Sequence, residues 1–505
     1  MHLETRMYRK NDSDQLTFEN FYLPFGGHLR SDNRWVILSE QIPWSHIEQG
    51  YGELFPSDEG CPAKSARMAF GALFIKERLG ISDRETVEQI KENPYLQYFI
   101  GMMEYNDEQA PFDPSLMTHF RKRFSQAILS EINEWILHGP PEEDGAEDDK
   151  QTSNDTDDKS DPPNQGKLIV DATCTPADIA YPTDLSLLNE AREKSEQIID
   201  AMHEPFIGLR QKPRTYRQKA RKAYLAVAKQ KKPGARKIRR AVGKQLRYLR
   251  RNLAHIDRMV AEGGLYYLSR RLYRLLLVIG ELYRQQLWMY EHHAHSISDR
   301  IVSLSQPHVR PIVRGKARAS VEFGAKVSIS LVNGFSYVDK ISWDAYNESG
   351  DLKEQINGYK RRFGCYPESV HADKIYRSVD NRRFCKKHGI RLSGPMLGRP
   401  SGDTEIVKEQ KKQQYRDECD RIAVEGKFGQ GKRRFSLSRI MAKLDTTSEV
   451  AITMSFIVMN LDKILAGIVS FALFLCRWLF RGVLKIPVWT DDLAYTTAAK
   501  PANAA

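Results

Sequence analysis

The sequence predicts an α/β core, a mixed sheet flanked by helices, preceded by an all-α region and interrupted by a long basic helical insertion. Three observations carry that expectation. The runs KLIVDATCTP (167–176) and SVHADK (369–374) read as short buried strands, each leading to an aspartate. Between them, VEFGAKVSISLV alternates in the manner of a strand, Gly334 marks a turn, and FSYVDKISWD follows as the second arm of a hairpin. Residues 62–138 and 185–300 carry helical spacing and helix-capping signals.

The first helical stretch spans 1–138. Its segment Ala63–Leu79 places Met68, Leu73, Ile75 and Leu79 among good helix formers, with Gly80 as its stop. Ser82-x-x-Glu85 has the form of a capping box. Asp113-Pro114 reads as an N-cap followed by proline at the first helical position, opening a helix that carries Arg121, Lys122 and Arg123 beside Phe120 and Phe124. Short helices with a basic face suit a helix-turn-helix-like DNA reader, and equally a small bundle used for dimerisation.

Residues 139–166 hold ten acidic residues and two lysines, with nothing apolar larger than alanine apart from proline. A segment that cannot bury apolar surface does not offset its ordering entropy, so 139–166 is expected to be a disordered linker and a domain boundary. The core is then read as 167–184 plus 316–485, the insertion as 185–315, and 486–505 as a flexible tail.

The insertion is strongly basic. From Arg210 to Arg251 there are eighteen Lys and Arg and no Asp or Glu, with Tyr216, Tyr224 and Tyr248 interleaved. Mutual repulsion among so many cations favours phosphate as their partner, with Arg236, Lys237, Arg239 and Arg240 at the centre of the run. Leu246, Leu249 and Leu253, then Leu268, Leu272, Leu275 and Leu276, give amphipathic helices able to pair as a hairpin.

Composition agrees. The 505 residues carry a formal charge of +12, which favours polyanions, although a ribosomal or membrane-surface role shares that balance. Six scattered cysteines without a CxxC argue against a zinc cluster or disulfide framework. A polar start (MHLETRMYRKNDSD) gives no signal peptide. The run Ile464–Cys476 is shorter than the roughly 20 residues a bilayer needs and is expected to be a buried core helix.

Cutting a phosphodiester requires an activated nucleophile and neutralised charge on the attacking and leaving oxygens. Two divalent ions about 3.5–4 Å apart supply both, and magnesium needs only a few carboxylates. Asp171 and Asp373, at predicted strand ends, are candidates, and RIAVEGKFGQGK supplies a helical third, Glu425. On a helix, Glu425 lies about 40° and Lys432 about 20° from Arg421, an acid flanked by cations. Glycines 426, 429 and 431 weaken that helix, which is expected to run from Thr404 and end near Glu425. An aspartate after a strand serves equally as a turn residue or N-cap.

At these residues the chain resembles the DDE transposases of bacterial insertion sequences. The resemblance extends from about Phe18 to Leu465 and is most specific in LIVDATCTPADIAYPTDLSLLNEAR, RIVSLSQPHVRPIVRGKARASVEFGAK, VHADKIYRSVDNRRFCKKHGIRLSGP and VEGKFGQGKRRF. It implies a catalytic core similar to ribonuclease H and retroviral integrase, with Asp171, Asp373 and Glu425 as catalytic and metal-binding acids. It further implies two Mg2+ ions, replaceable by Mn2+, with Arg421 and Lys432 on DNA at the transposon end. A tyrosine expected three residues before the arginine is replaced by Glu418. The resemblance implies cleavage at terminal inverted repeats, joining of 3′ ends to target DNA, a homodimer holding two ends, no membrane partner, and a cytoplasmic, nucleoid-associated setting. The alternative is a catalytically inactive or repurposed DNA-binding relative.

Overall fold

The computed structural model describes residues 17–55, 62–140, 162–313, 321–395 and 404–479. Most of the acidic segment 139–166 and all of 486–505 lie outside them. The residues up to Leu461 form one compact unit, and those from Asp462 a second.

Seven helices open the chain: α1 (Arg34–Glu40), α2 (Trp44–Gly52), α3 (Ala66–Leu79), α4 (Asp83–Glu92), α5 (Pro94–Phe99), α6 (Leu116–Arg123) and α7 (Gln126–His138). The expected punctuation holds for two of them. Gly80 ends α3 in the left-handed region, φ 67°, and the Ser82 hydroxyl accepts the Glu85 N–H at 3.2 Å to open α4. Asp113 instead caps a turn, accepting the Ser115 N–H, and α6 begins only at Leu116. The third helix is buried almost all round because aromatics enclose it. Trp35, Trp44, Phe70, Phe74 and Phe99 meet edge-on or tilted at 5.2–6.3 Å.

The sheet has six strands: β1 (Lys167–Pro176), β2 (Arg310–Val313), β3 (Val321–Val332), β4 (Phe335–Ser342), β5 (Ser369–His371) and β6 (Arg391–Leu392). Its order is β2-β3-β1-β5-β6, with β4 also on β3. The predicted hairpin is β3–β4, closed by Asn333 and Gly334 at φ 52° and 79°, the paired positive φ values that a two-residue Asn-Gly turn requires. β1 runs antiparallel to β3 and parallel to β5. It does not end at Asp171 as expected but continues to Pro176, because β3 pairs with it out to Gly324.

Alternation along β1 and β5 sorts their side chains onto two faces. Leu168, Val170, Val370 and Ala372 pack with Leu352, Ile356 and Tyr359 of α12 (Leu352–Phe363) and Cys385 of α13 (Val379–Lys387). The opposite face meets α14 (Thr404–Arg434). That helix runs straight through Gly426, Gly429 and Gly431, correcting the expected stop near Glu425. Tertiary burial outweighs the glycine penalty: Val424 and Phe428 are buried, and a Cβ on Gly431 would lie 2.6 Å from Leu437.

Between β1 and β2 stand α8 (Asp184–His203), α9 (Arg217–Ala228), α10 (Ala235–Ala261) and α11 (Arg270–Glu291), around a core of their own that includes Leu188, Ile198, Leu246, Leu249, Ile279 and Leu282. Helix α10 packs on α8 as well as on α11, so the pair is part of a larger lobe rather than a simple hairpin. The final helix, α15 (Asp445–Leu479), is long and apolar enough over Asp445–Ala472 to cross a membrane by length and composition. Its buried part is Val450–Leu461, where Val450, Ile452, Phe456 and Leu461 are enclosed. The expectation of burial at Ile464–Cys476 is corrected over 464–472, where Val469 and Phe471 are 45% and 66% exposed; the side chains beyond lie outside the described residues.

A polar cluster ties α7 to the sheet. Asn460 accepts from Ser336 N–H at 2.9 Å and donates to Asn133 at 2.9 Å. Arg362 pairs with Glu134 at 2.6 Å, stacks over Tyr337 and lies 3.8 Å from Asp339. Burial pushes the Asp339 carboxyl up to about 6, while Arg362, Ser330 and Gln355 pull it back. The folded state therefore binds the Asp339 proton more tightly than the unfolded chain, and stability is lost as pH rises from about 4 to about 6. The effect is on the order of 3 kcal/mol. Asp339→Asn is expected to flatten that part of the stability–pH curve relative to wild type, measured by urea unfolding at pH 4.5 and 7.5; parallel curves would contradict it.

Candidate active site

Parallel pairing of β1 with β5 ends at Ile169 opposite His371. Asp171 and Asp373 each stand two residues beyond that rung, on the same face by alternation, on strands about 4.8 Å apart. Two acids far apart in sequence are thus brought to one level of the sheet. Asp171 sits within β1 because β3 continues to pair with it. Asp373 leaves β5 and accepts the Lys374 N–H at 2.7 Å, capping the turn Lys374–Tyr376. Its N-cap role and its place in the site coexist.

The third acid arrives on α14. The Arg421 guanidinium donates to Asp373 at 3.1 Å and to Glu425 at 3.3 Å, bridging the two carboxylates. Asp171 lies close enough to feel all three groups. Burial pushes its carboxyl up to about 6; the Ala172 N–H and Arg421 pull it down, and Asp373 and Glu425 push it up again. Arg421 itself, against the effect of burial, is held above its ordinary range by Asp373, Glu425 and Asp171.

Three further links set α14 on the sheet, and the residues in them escaped the reading of the sequence. Asp417 is forked by Arg391 of β6 at 2.6 and 3.0 Å, and Asp420 meets Lys167 of β1 at 2.7 Å. His371 of β5, fully buried, lies 3.8 Å from Asp417 and 3.9 Å from Asp420. Burial works to raise the Asp417 carboxyl, but Arg391, Gln413 and His371 hold it below the ordinary carboxylate range. Positions 417, 420, 421, 424 and 428 fall on one face of a helix, a spacing that would have revealed this face. Removing the clamp by Asp417→Asn is expected to slow any reaction that these carboxylates carry about 10–100-fold, the usual cost of disturbing the support around metal-binding groups. Single-turnover kinetics checks this; a wild-type rate would show that the register of α14 is held elsewhere.

The predicted cations are distributed differently. Lys432 lies two turns beyond Glu425 on the same helix and is half-buried. Arg121 is buried and paired with Asp83. Arg123 stacks over Phe55, whereas Lys122 is exposed. In α10, Arg236, Lys237 and Arg240 are exposed, while Arg239 donates to the Tyr290 carbonyl and stacks on its ring.

Among the described residues, no three His, Cys, Asp or Glu side chains converge tightly enough to hold a metal ion as they stand. The donor set nevertheless suits a hard divalent cation: it consists of carboxylates only, burial and to a smaller extent the neighbouring acids raise Asp171, and Arg421 supplies compensating positive charge.

A mixed sheet in this order, with carboxylates gathered beside its central parallel strands, is consistent with a ribonuclease H-like core. Residues 370–462 match a family described as the transposase DDE domain, and residues 24–123 match a transposase domain, DUF772. An uncharacterized protein, ORF8 in the nfe locus of Rhizobium meliloti, is 31% identical over 156 residues, which are 31% of this chain and 68% of that protein. No solved structure matches. The chain belongs to the DDE transposases of insertion sequences, enzymes that cut DNA and transfer the cut strands.

Proposed function

We propose that this transposase cuts phosphodiesters at the terminal inverted repeats of its element and joins the freed 3′ ends to target DNA, using Asp171, Asp373 and Glu425. The observation that carries the reading is the convergence of the acids: Asp171 and Asp373 two residues past one β1–β5 rung, with Glu425 joined to Asp373 through Arg421. The sheet order, with β4, β3, β1, β5 and β6 side by side, supports a ribonuclease H-like catalytic core. Two Mg2+ ions, or Mn2+, bound by these carboxylates would activate the attacking oxygen and neutralise the leaving one.

The protein's own groups do the rest. The β1–β5 pair fixes one carboxylate within β1 and the other in the turn that leaves β5, and the Arg391–Asp417 and Lys167–Asp420 pairs hold α14 so that Glu425 stays beside them. Arg421 and Lys432 contact DNA at the transposon end. Exposed Lys122 serves the helical region 1–138 as a DNA reader, and Arg236, Lys237 and Arg240 hold phosphates along the insertion. The segment 139–166 links the reader to the core, and two copies hold the two ends. The test incubates full-length protein with supercoiled plasmid carrying the flanking repeats and Mg2+. Nicks or breaks at the repeat termini, and joining of pre-cut ends to a second plasmid, are expected; end binding without either product would favour the inactive relative.

A further inference from the structure

Within the insertion, two stretches of chain meet. After α8, the turn Glu204–Phe206 leads into the basic segment beginning at Arg210; after α10, the turn Gly264–Tyr267 leads towards α11. Glycine is required at 264, where a Cβ would lie 2.6 Å from the Met259 carbonyl oxygen and 2.7 Å from Met202. The two stretches line an open pocket of about 890 Å3, with Met202, Phe206 and Met259 in its walls together with the cations Arg214 and Arg258 and the acid Glu262.

Beside it stands a column of rings. Tyr266 meets Tyr267 edge-on at 5.5 Å, Tyr267 meets Phe206 edge-on at 5.5 Å, and the Arg210 guanidinium covers Phe206 at 4.8 Å. The outer members face water: Tyr266 is 89% exposed, Leu209 80% and Ile207 71%. Single exposed apolar residues are ordinary, but a group of them on two meeting turns marks a contact surface. Its surroundings identify the partner. This surface opens the stretch of eighteen Lys and Arg; Arg210 pairs with Glu262 and Lys212 with Asp200, while Arg214 and Arg258 carry no carboxylate partner among the described residues, so the positive charge left over favours a polyanion that also presents flat apolar faces. Duplex DNA does so once a base step is opened: apolar wedges enter it, aromatic rings stack on the bases, and cations hold the flanking phosphates.

We propose that the tip of the insertion is a DNA-deforming contact, in which Tyr266 and Leu209 enter a base step while Arg214 and Arg258 hold the backbone on either side. Helix α8, twenty residues long, leaves the sheet shortly after β1 and spans roughly 30 Å to this tip. That length corresponds to about nine base pairs of duplex at about 3.4 Å each. Neither matched family stretch, 24–123 or 370–462, includes these residues.

The test uses the full-length chain and repeat-containing duplexes with 2-aminopurine placed at successive positions. Wild type is expected to raise fluorescence at one step, the signature of unstacking. Leu209→Ala with Tyr266→Ala, both on the surface, is expected to abolish that signal and weaken binding roughly tenfold, with the salt dependence unchanged. Arg214→Gln with Arg258→Gln is expected to reduce the salt slope by about two. No enhancement at any position, or wild-type affinity in the apolar double variant, would overturn the proposal. So would a change in oligomeric state with unaltered DNA binding, which would make the surface a protein interface. The acid variants separate the two readings, because loss of cleavage with the fluorescence step intact leaves this contact standing.

Discussion

Asp171→Asn is expected to abolish DNA cleavage while leaving the protein at least as stable as wild type. The substitution keeps the side-chain volume and removes the negative charge. Charge stabilisation at a metal-assisted phosphodiester cleavage is worth several kcal/mol, so cleavage should fall by about three decades or more. The stability arm follows from the site itself. Burial and the charges of Asp373 and Glu425 push Asp171 up to about 6, so near neutral pH its ionised form is disfavoured by folding. Neutralising it removes that penalty, and the melting temperature at pH 7.5 should stay level or rise. On the proposed reading, such a residue weakens the fold in order to serve the reaction. Asp373→Asn and Glu425→Gln are expected to share the cleavage defect, with end binding within a few-fold of wild type in a mobility-shift titration. Loss of binding together with cleavage would count against the assigned roles.

Gly324→Ala is the second expectation, and its effect is on folding. Gly324 lies opposite Pro176 at the far end of the β1–β3 pairing. A Cβ there would sit 2.1 Å from the Thr175 carbonyl oxygen and 2.8 Å from Pro176 Cα. Both neighbours are backbone, so no flexible side chain can give way, and the strands must part. Overpacking of this kind costs about 1–3 kcal/mol when side chains yield, and more where they do not. Because β1 carries Asp171, separation of this pair would also disturb the acids. Low soluble yield, or a cooperative unfolding midpoint shifted well below wild type, is expected; wild-type stability would show that the pairing tolerates a bulge here.

These two positions mark opposite ends of what the residue pattern could reveal. Asp171 and Asp373 were visible because apolar runs followed by an acid are local features, and Glu425 because a helix repeats its faces every few residues. The same periodicity exposed the β3–β4 hairpin, where Asn333 and Gly334 meet a local backbone requirement. Gly324, by contrast, is glycine because of a strand nearly 150 residues away in sequence, and nothing in its neighbourhood says so. The continuation of α14 through three glycines has the same origin: local propensity argued for a stop near Glu425, and burial of Val424 and Phe428 overrode it.

By itself, then, the sequence determined the kinds of element and the order in which they come, and it pointed to the acids proposed for the chemistry, since each depends on neighbours within a few residues. Tertiary structure alone decided that β5 lies parallel beside β1, bringing Asp171 and Asp373 each two residues beyond its last rung. It likewise decided that Arg421 bridges two of the acids, that Asp417 answers to Arg391, and that Arg121 is spent on Asp83. Those outcomes depend on which surfaces pack together, and packing is a property of the whole chain, governed by burial and charge pairing between residues that no local window contains.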